Sequence, residues 1–159
     1  MKKYEFTGET KEIKLLFRTA VLHRIRATVS FGFVKIGDLG GWIEKEENLS
    51  HEGKAWVCGD AEVWGNAEVC GNAKVFSASH VLVIGAIGSR NDFTTFYRDK
   101  DNEITVKCGC FLGKIDRFLE KVTQTHGDSK YALVYRAAVE VAKLQIDLSG
   151  EAPKDADEE

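Results

Sequence analysis

Proline is almost absent from this chain of 159 residues, and its one proline, Pro153, falls in the last ten positions. No run of eighteen apolar residues occurs, which argues against a membrane-spanning segment. The N-terminus, Met1-Lys-Lys-Tyr-Glu-Phe6, is charged and lacks the apolar core of a secretory signal, so the cytoplasm is the expected compartment. There is no basic excess either. Twenty-two Lys and Arg against 25 Asp and Glu leave a net charge of −3, which argues against a general nucleic-acid surface, since phosphate neutralisation requires surplus cations. A local basic patch on an acidic protein stays open. Cysteines number only four. Cys108 and Cys110 fall two apart, on one face of a strand, and Cys58 and Cys70 sit twelve apart among other motifs. The four histidines are scattered, so no metal-ligand spacing emerges, and reduced, packed thiols with no metal or cofactor are expected.

What the chain has instead is a six-residue rhythm. Gly53-Lys-Ala55-Trp-Val57, Gly59-Asp-Ala61-Glu-Val63, Gly65-Asn-Ala67-Glu-Val69 and Gly71-Asn-Ala73-Lys-Val75 place Gly, Ala and Val at fixed offsets. A helix needs apolar residues at a spacing of 3.6 and a flat strand repeats every two, so a strict six reads as a short strand and a corner, repeated: a parallel β-helix. Stepping back reaches Ile43 and Leu49, and stepping forward reaches Ser79, Val81 and Ile87. Three hexads per coil stack residues eighteen apart: Leu39 over Val57 over Val75, Ile43 over Ala61, and Leu49 over Ala67. Asn48, Asp60, Asn66 and Asn72 fit corners that tolerate unusual dihedrals.

These hexads resemble the left-handed β-helix repeat of bacterial hexapeptide acyltransferases. The run Gly37-Asp-Leu-Gly-Gly-Trp-Ile-Glu44, with Asn48-Leu-Ser50, is also similar to small uncharacterised phage and prophage proteins. The first resemblance implies a short left-handed parallel β-helix of about three coils, assembled as a trimer. The second makes a role in countering nucleotide-based host immunity one expectation.

Four regions follow. Residues 1–36 read as strands capping the first coil, and residues 37–90 as the β-helix. Residues 91–148 read as a hairpin of Phe93–Tyr97 and Ile104–Cys108 followed by two helices, making the fold mainly β with α. The helices are expected near 113–125, ended by Gly127, and from Asp128 or Ser129 to about Ile146. Residues 149–159 form an acidic, apolar-poor tail expected to be disordered. Trp56, Trp64 and Phe76 fall on the outside of the coil wall, suited to burial against the helices or another subunit.

Candidate chemistry concentrates at Ile84-Gly-Ala-Ile-Gly-Ser-Arg-Asn-Asp-Phe-Thr-Thr-Phe-Tyr97. Ser89, Arg90, Asn91, Thr94 and Thr95 cluster hydrogen-bond donors beside two glycines that admit close backbone approach, and Tyr97 offers a stacking surface. Lys107 on the neighbouring strand adds a second cation, and Arg136 on the second helix borders the same region or is simply solvated. Arg supplies a bidentate fork for phosphate or carboxylate and hydroxyls fill the remaining acceptors. The alternative is that the glycines ease the exit from the last coil and Arg90 pairs with a surface acid. The expected function is therefore a non-enzymatic, oligomeric binding protein that captures a small anionic ligand, with a nucleotide signal among the candidates. Two rivals stand beside it. An acyltransferase would use His80 or His51 as base, although His80 is expected to point outward from the coil. A structural module would dock a protein on its C-terminal helices.

Overall fold

The computed structural model describes residues 1–156. The chain opens with a long antiparallel hairpin, β1 (Tyr4–Lys14) and β2 (Thr19–Ala27), in which Tyr4 pairs with Ala27 and Ile13 with Ala20. On β2 the buried residues are Ala20, Leu22, Ile25 and Ala27, and the alternation changes parity between Leu22 and Ile25, where the register against β1 and β3 shifts. The strand β3 (Leu39–Ile43) adds antiparallel to β2, with His23 opposite Ile43.

Three parallel pairings follow, and they are short. The two-residue strand β5 (Glu62–Val63) adds to β3 through Trp42–Glu62 and Ile43–Val63. The equally short β4 (Trp56–Val57) and β6 (Lys74–Val75) pair as Trp56–Lys74 and Val57–Val75, and a single bridge joins Leu49 to Val69. Gly53, Gly59, Gly65 and Gly71 all adopt positive φ, from +63° to +72°, and turn the chain between these pieces.

The remaining strands form a second, wholly antiparallel sheet: β7 (Val81–Ile87), β8 (Asp92–Arg98), β9 (Ile104–Cys108) and β10 (Phe111–Lys114), in the spatial order β10-β9-β8-β7. Helices α1 (Ile115–His126) and α2 (Lys130–Gln145) close the chain, within two residues of the expected ranges. They lie on one face of this sheet, with Phe118, Val122, Tyr135 and Val139 packed over Phe96 and Val106. No helix among the described residues is long and apolar enough to cross a membrane.

The expected left-handed parallel β-helix of residues 37–90 is thus not the fold. Two four-stranded sheets, one mixed and one antiparallel, carry most of the strands. The reason is local. Val81–Ile87 fits the hexad slots on paper, but it is a seven-residue strand that turns back at Gly88 and pairs antiparallel with β8, Val81 facing Tyr97 and Ile84 facing Thr94. Register also departs from a uniform eighteen. Val57 meets Val75 at that spacing, but Ile43 meets Val63 and Leu49 meets Val69 at twenty, not Ala61 and Ala67. The two additional residues lie between Leu49 and Val57, around Ser50–Gly53. The wall aromatics are not free for assembly as expected. Trp56 is buried between Tyr4 and Phe31, and Phe76 stacks on Phe33, so the 31–34 segment covers that side. Trp64 alone of the three is exposed, at 39%.

Up to residue 156 the acidic tail packs against the body of the protein. The Ala156 amide donates to the Gly32 carbonyl at 3.1 Å, and Asp155 is buried against the Lys74 ammonium at 3.1 Å. Lys74, itself 2% exposed, also donates to the Pro153 carbonyl at 2.6 Å. The rest of the expected disordered tail, 157–159, lies outside the described residues.

Asn48 shows why one presumed corner residue matters more than its counterparts. Fully buried, its amide donates to the carbonyls of Gly65 and Ala67, at 3.1 and 2.9 Å, while its Oδ1 accepts from the Lys45 amide at 3.0 Å. Asn66, in the equivalent slot but after the turn glycine Gly65, is exposed. Asn48→Ala is expected to lower unfolding free energy by about 1–3 kcal/mol, because it strands buried backbone groups. Asn66→Ala is expected to stay within about 0.5 kcal/mol. Urea denaturation of the two variants measures the contrast.

Candidate ligand-binding site

Where the antiparallel sheet ends, two turns and two helices enclose a cavity of about 250 Å³. One wall is the β7–β8 turn carrying Ser89 and Arg90, and the opposite wall is the β9–β10 turn at Gly109 and Cys110. Two glycines make the walls thin. A Cβ on Gly88, whose φ is +78°, would lie 1.8 Å from the Tyr135 hydroxyl, so Tyr135 can rest on that turn only because no side chain stands there. A Cβ on Gly109 would come within 2.7 Å of Arg90 Nη1, which lets the guanidinium lie along the second turn.

The floor is aromatic and apolar. Phe111 and Phe118 sit 5.4 Å apart and tilted, Phe118 meets Tyr135 edge-on at 5.7 Å, and His126 stacks on Tyr135 at 5.7 Å. Val122 completes it from α1. Beneath the floor the Thr94 hydroxyl donates to Cys108 Sγ at 3.3 Å. Burial raises the Tyr135 phenol above its ordinary value, and the neighbouring Cys108 adds to the shift, so Tyr135 presents a hydroxyl donor and no anion. Two cations stand at the rim: Arg90 and Lys121 are exposed, and among the described residues no carboxylate forms an ion pair with either. Asp92 is the one acid at the rim. Such an arrangement receives a flat apolar body on the floor and a negative group at the mouth.

Of the seven residues singled out in the sequence, the structure brings Ser89 and Arg90 to this cavity. Asn91 occupies the same turn, exposed and at φ +52°, without lining it. Thr94 is buried below the floor, where its hydroxyl serves Cys108. Thr95 and Tyr97 point to the other side of β8. Thr95 Oγ1 accepts from the Glu68 amide at 3.0 Å, and the Tyr97 hydroxyl lies 3.6 Å from Cys70 Sγ, both fully enclosed. Lys107 donates to the Gly109 carbonyl and approaches Glu68 at 4.0 Å. It lines a different, more open cavity of about 420 Å³ with Glu46, Glu47, Glu68 and His51, where the carboxylates disfavour an anion. Arg136 does not reach the site, because its Nη2 is bound to Thr123 Oγ1 and the Gly127 carbonyl at the end of α1. The sequence reading missed Lys121, His126, Phe111, Phe118 and Tyr135. Lys121, Val122 and Thr125 follow Phe118 at helical spacing, a signal that becomes useful only once the helix is known to lie over the sheet end.

Neither histidine weighed as a base is free for that work. His80 points inward, not outward: it is 7% exposed, and its Nδ1 accepts from the Phe76 amide at 3.0 Å. His51 stacks on Tyr4 at 4.0 Å and accepts from the Lys3 amide through Nδ1. Among the described residues no cluster of histidine, cysteine and carboxylate side chains suits a metal ion.

Compared with known proteins, the chain matches no family model and no curated sequence. With the sheet topology, this overturns the resemblance to hexapeptide-repeat acyltransferases and to phage hexapeptide-repeat proteins.

Burial holds both His51 and His80 below the ordinary histidine range. Below about pH 6.5 the unfolded chain therefore binds more protons than the folded one, and stability is lost as pH falls from there. Glu44, held at about 2 chiefly by its hydrogen bonds to Arg18, adds a separate loss as pH falls from 4.5 towards that value. The melting temperature is expected to drop between pH 7 and pH 5.5. His80→Asn, which keeps an acceptor for the Phe76 amide, is expected to flatten that drop, and thermal melts across the range read the slope directly.

Proposed function

We propose that this chain is a binding protein that captures a small anionic ligand with a planar, apolar body, a nucleoside monophosphate being the best-fitting class. One observation carries the reading: Arg90 and Lys121, free of carboxylate partners among the described residues, stand at the mouth of a cavity floored by Phe118, Val122 and Tyr135. An aromatic floor stacks a planar ring, and a guanidinium beside a serine hydroxyl receives a phosphate or carboxylate. The cavity lies just below the ~300–1,000 Å³ range of sites that swallow drug-sized ligands, so a single ring system fills it and the charged group stays at the rim. The four unpaired cysteines support placing the protein in a reducing, cytoplasmic compartment.

Isothermal titration with adenosine monophosphate, adenosine and inorganic phosphate separates the contributions of ring and charge. The monophosphate is expected to bind at least tenfold more tightly than either fragment. Arg90→Ala is expected to weaken binding by about 1.5–3 kcal/mol, the loss of a hydrogen bond to a charged group. Binding that is equal for adenosine and its monophosphate, or indifferent to Arg90, would remove the anion-binding role.

A further inference from the structure

Helix α2 is apolar on two faces. Its inner face, Ala132, Tyr135, Ala138, Val139 and Ala142, is packed over the sheet. Its outer face carries Leu133, Ala137, Val141 and Leu144, all exposed, with Leu144 at 89% and Leu133 at 59%. At about 100° per residue these four fall within a sector of roughly 80°, opposite the buried stripe. An ordinary surface helix is polar on the side away from the core, and one apolar all round is normally covered.

We infer that this outer face is covered by the same face of a second copy, the two α2 helices packing antiparallel about a two-fold axis. The side chains flanking the stripe identify the occupant and its direction. A two-fold axis near the middle of the stripe sets Leu133 of one copy on Leu144 of the other and Val134 beside Val141, each contact made twice. On the opposite flank the same register brings Arg136 beside Glu140 of the second copy, again twice. Arg136 is held on that flank by its bonds to Thr123 and Gly127, with the exposed Asp128 3.8 Å away, and Glu140 is exposed with Lys143 of its own helix 3.6 Å away, so both charges have solvent-exposed partners to exchange. A parallel two-fold pairing would instead set each flank against the opposite flank of the second copy, so Arg136 would lie beside the Val134 flank and would not meet Glu140. Ala137 near the centre lets the helix axes approach closely. The face is thus complementary to itself in shape and charge when antiparallel. Two such stripes bury less than the ~1,200 Å² of a standard stable interface, which makes the association reversible.

Sedimentation velocity is expected to show monomer at ~1 µM and dimer at ~200 µM, with Leu144→Glu and Leu133→Glu monomeric at both. Both positions are exposed, so circular dichroism should report an intact fold. In a Cys110→Ser background, Leu133→Cys mixed with Leu144→Cys is expected to form a disulfide-linked heterodimer under mild oxidation, and neither variant alone is expected to do so. A monomer at ~200 µM, a trimer, or a dimer that survives Leu144→Glu would overturn the inference. Efficient cross-linking of Leu133→Cys on its own would overturn the antiparallel register.

Discussion

Because successive side chains on an extended strand point to opposite sides, a strand running between two cores must satisfy both with alternate residues, and β8 does so here. Phe96 enters the core beneath the helices, while Tyr97, one residue on, enters the core built by Tyr4, Trp56, Leu49 and the valines of the Gly-Ala-Val hexads. Both are fully buried. The arrangement continues at the end of the strand, where the buried Arg98 donates to the Lys74 carbonyl at 3.0 Å and ties β8 to β6. A one-residue slip of β8 against β7 or β9 would exchange the two faces and empty both cores at once. The rest of the molecule is arranged around that strand: short parallel pairings on one side, two helices on the other, and a cavity where the sheet stops.

The cavity takes its character from that ending. Over the middle of the sheet the helices pack on Phe96 and Val106, whereas at the sheet end Gly88 and Gly109 place no side chain in the space beside α1. What remains is a slot whose floor belongs to the core and whose rim belongs to the solvent-facing ends of α1 and the turns. Rim cations in water contribute modestly to affinity by themselves. Their value lies in selecting the sign of the ligand, and the apolar floor supplies the contact area. The protein as a whole is mildly acidic, so the selection is local.

Much of the secondary structure was legible from local pattern. The helices announced themselves through Ile115, Phe118 and Val122, through Gly127, and through an apolar stripe of Tyr131, Val134, Tyr135, Ala138 and Ala142, of which Tyr131 proves exposed and Val134 half-buried while Ala132 and Val139 are buried instead. The turn glycines at 53, 59, 65 and 71 were equally plain, and each has the positive φ their spacing demanded. What spacing could not report was the partner of each short strand. Ser77, Ser79, Val81 and Ile87 matched the slots of the hexads, yet Val81–Ile87 finds a better partner in β8, a long antiparallel neighbour only a tight turn away. The site divides along the same line. Ser89 and Arg90 were visible because a turn concentrates donors in a few positions. Lys121, Phe111 and Tyr135 come from three other elements, and nothing in their neighbourhoods marks the cavity they share. Thr95 and Tyr97 looked available because alternation shows that a strand has a second face without showing that another core covers it.

The ion pair between Lys74 and Asp155 gives the folding of this chain a direction in time. Lys74 lies under the 31–34 segment with its ammonium 5.2 Å from the Phe33 ring centre, and its counter-charge comes from a residue eighty-one positions later. Synthesis delivers the chain from its N-terminus, and early segments ordinarily begin to fold as they emerge. Here the 31–34 segment cannot close over Lys74 without enclosing an uncompensated charge until Asp155 has been made. The segment over Lys74 therefore closes only once residues 153–156 are in place.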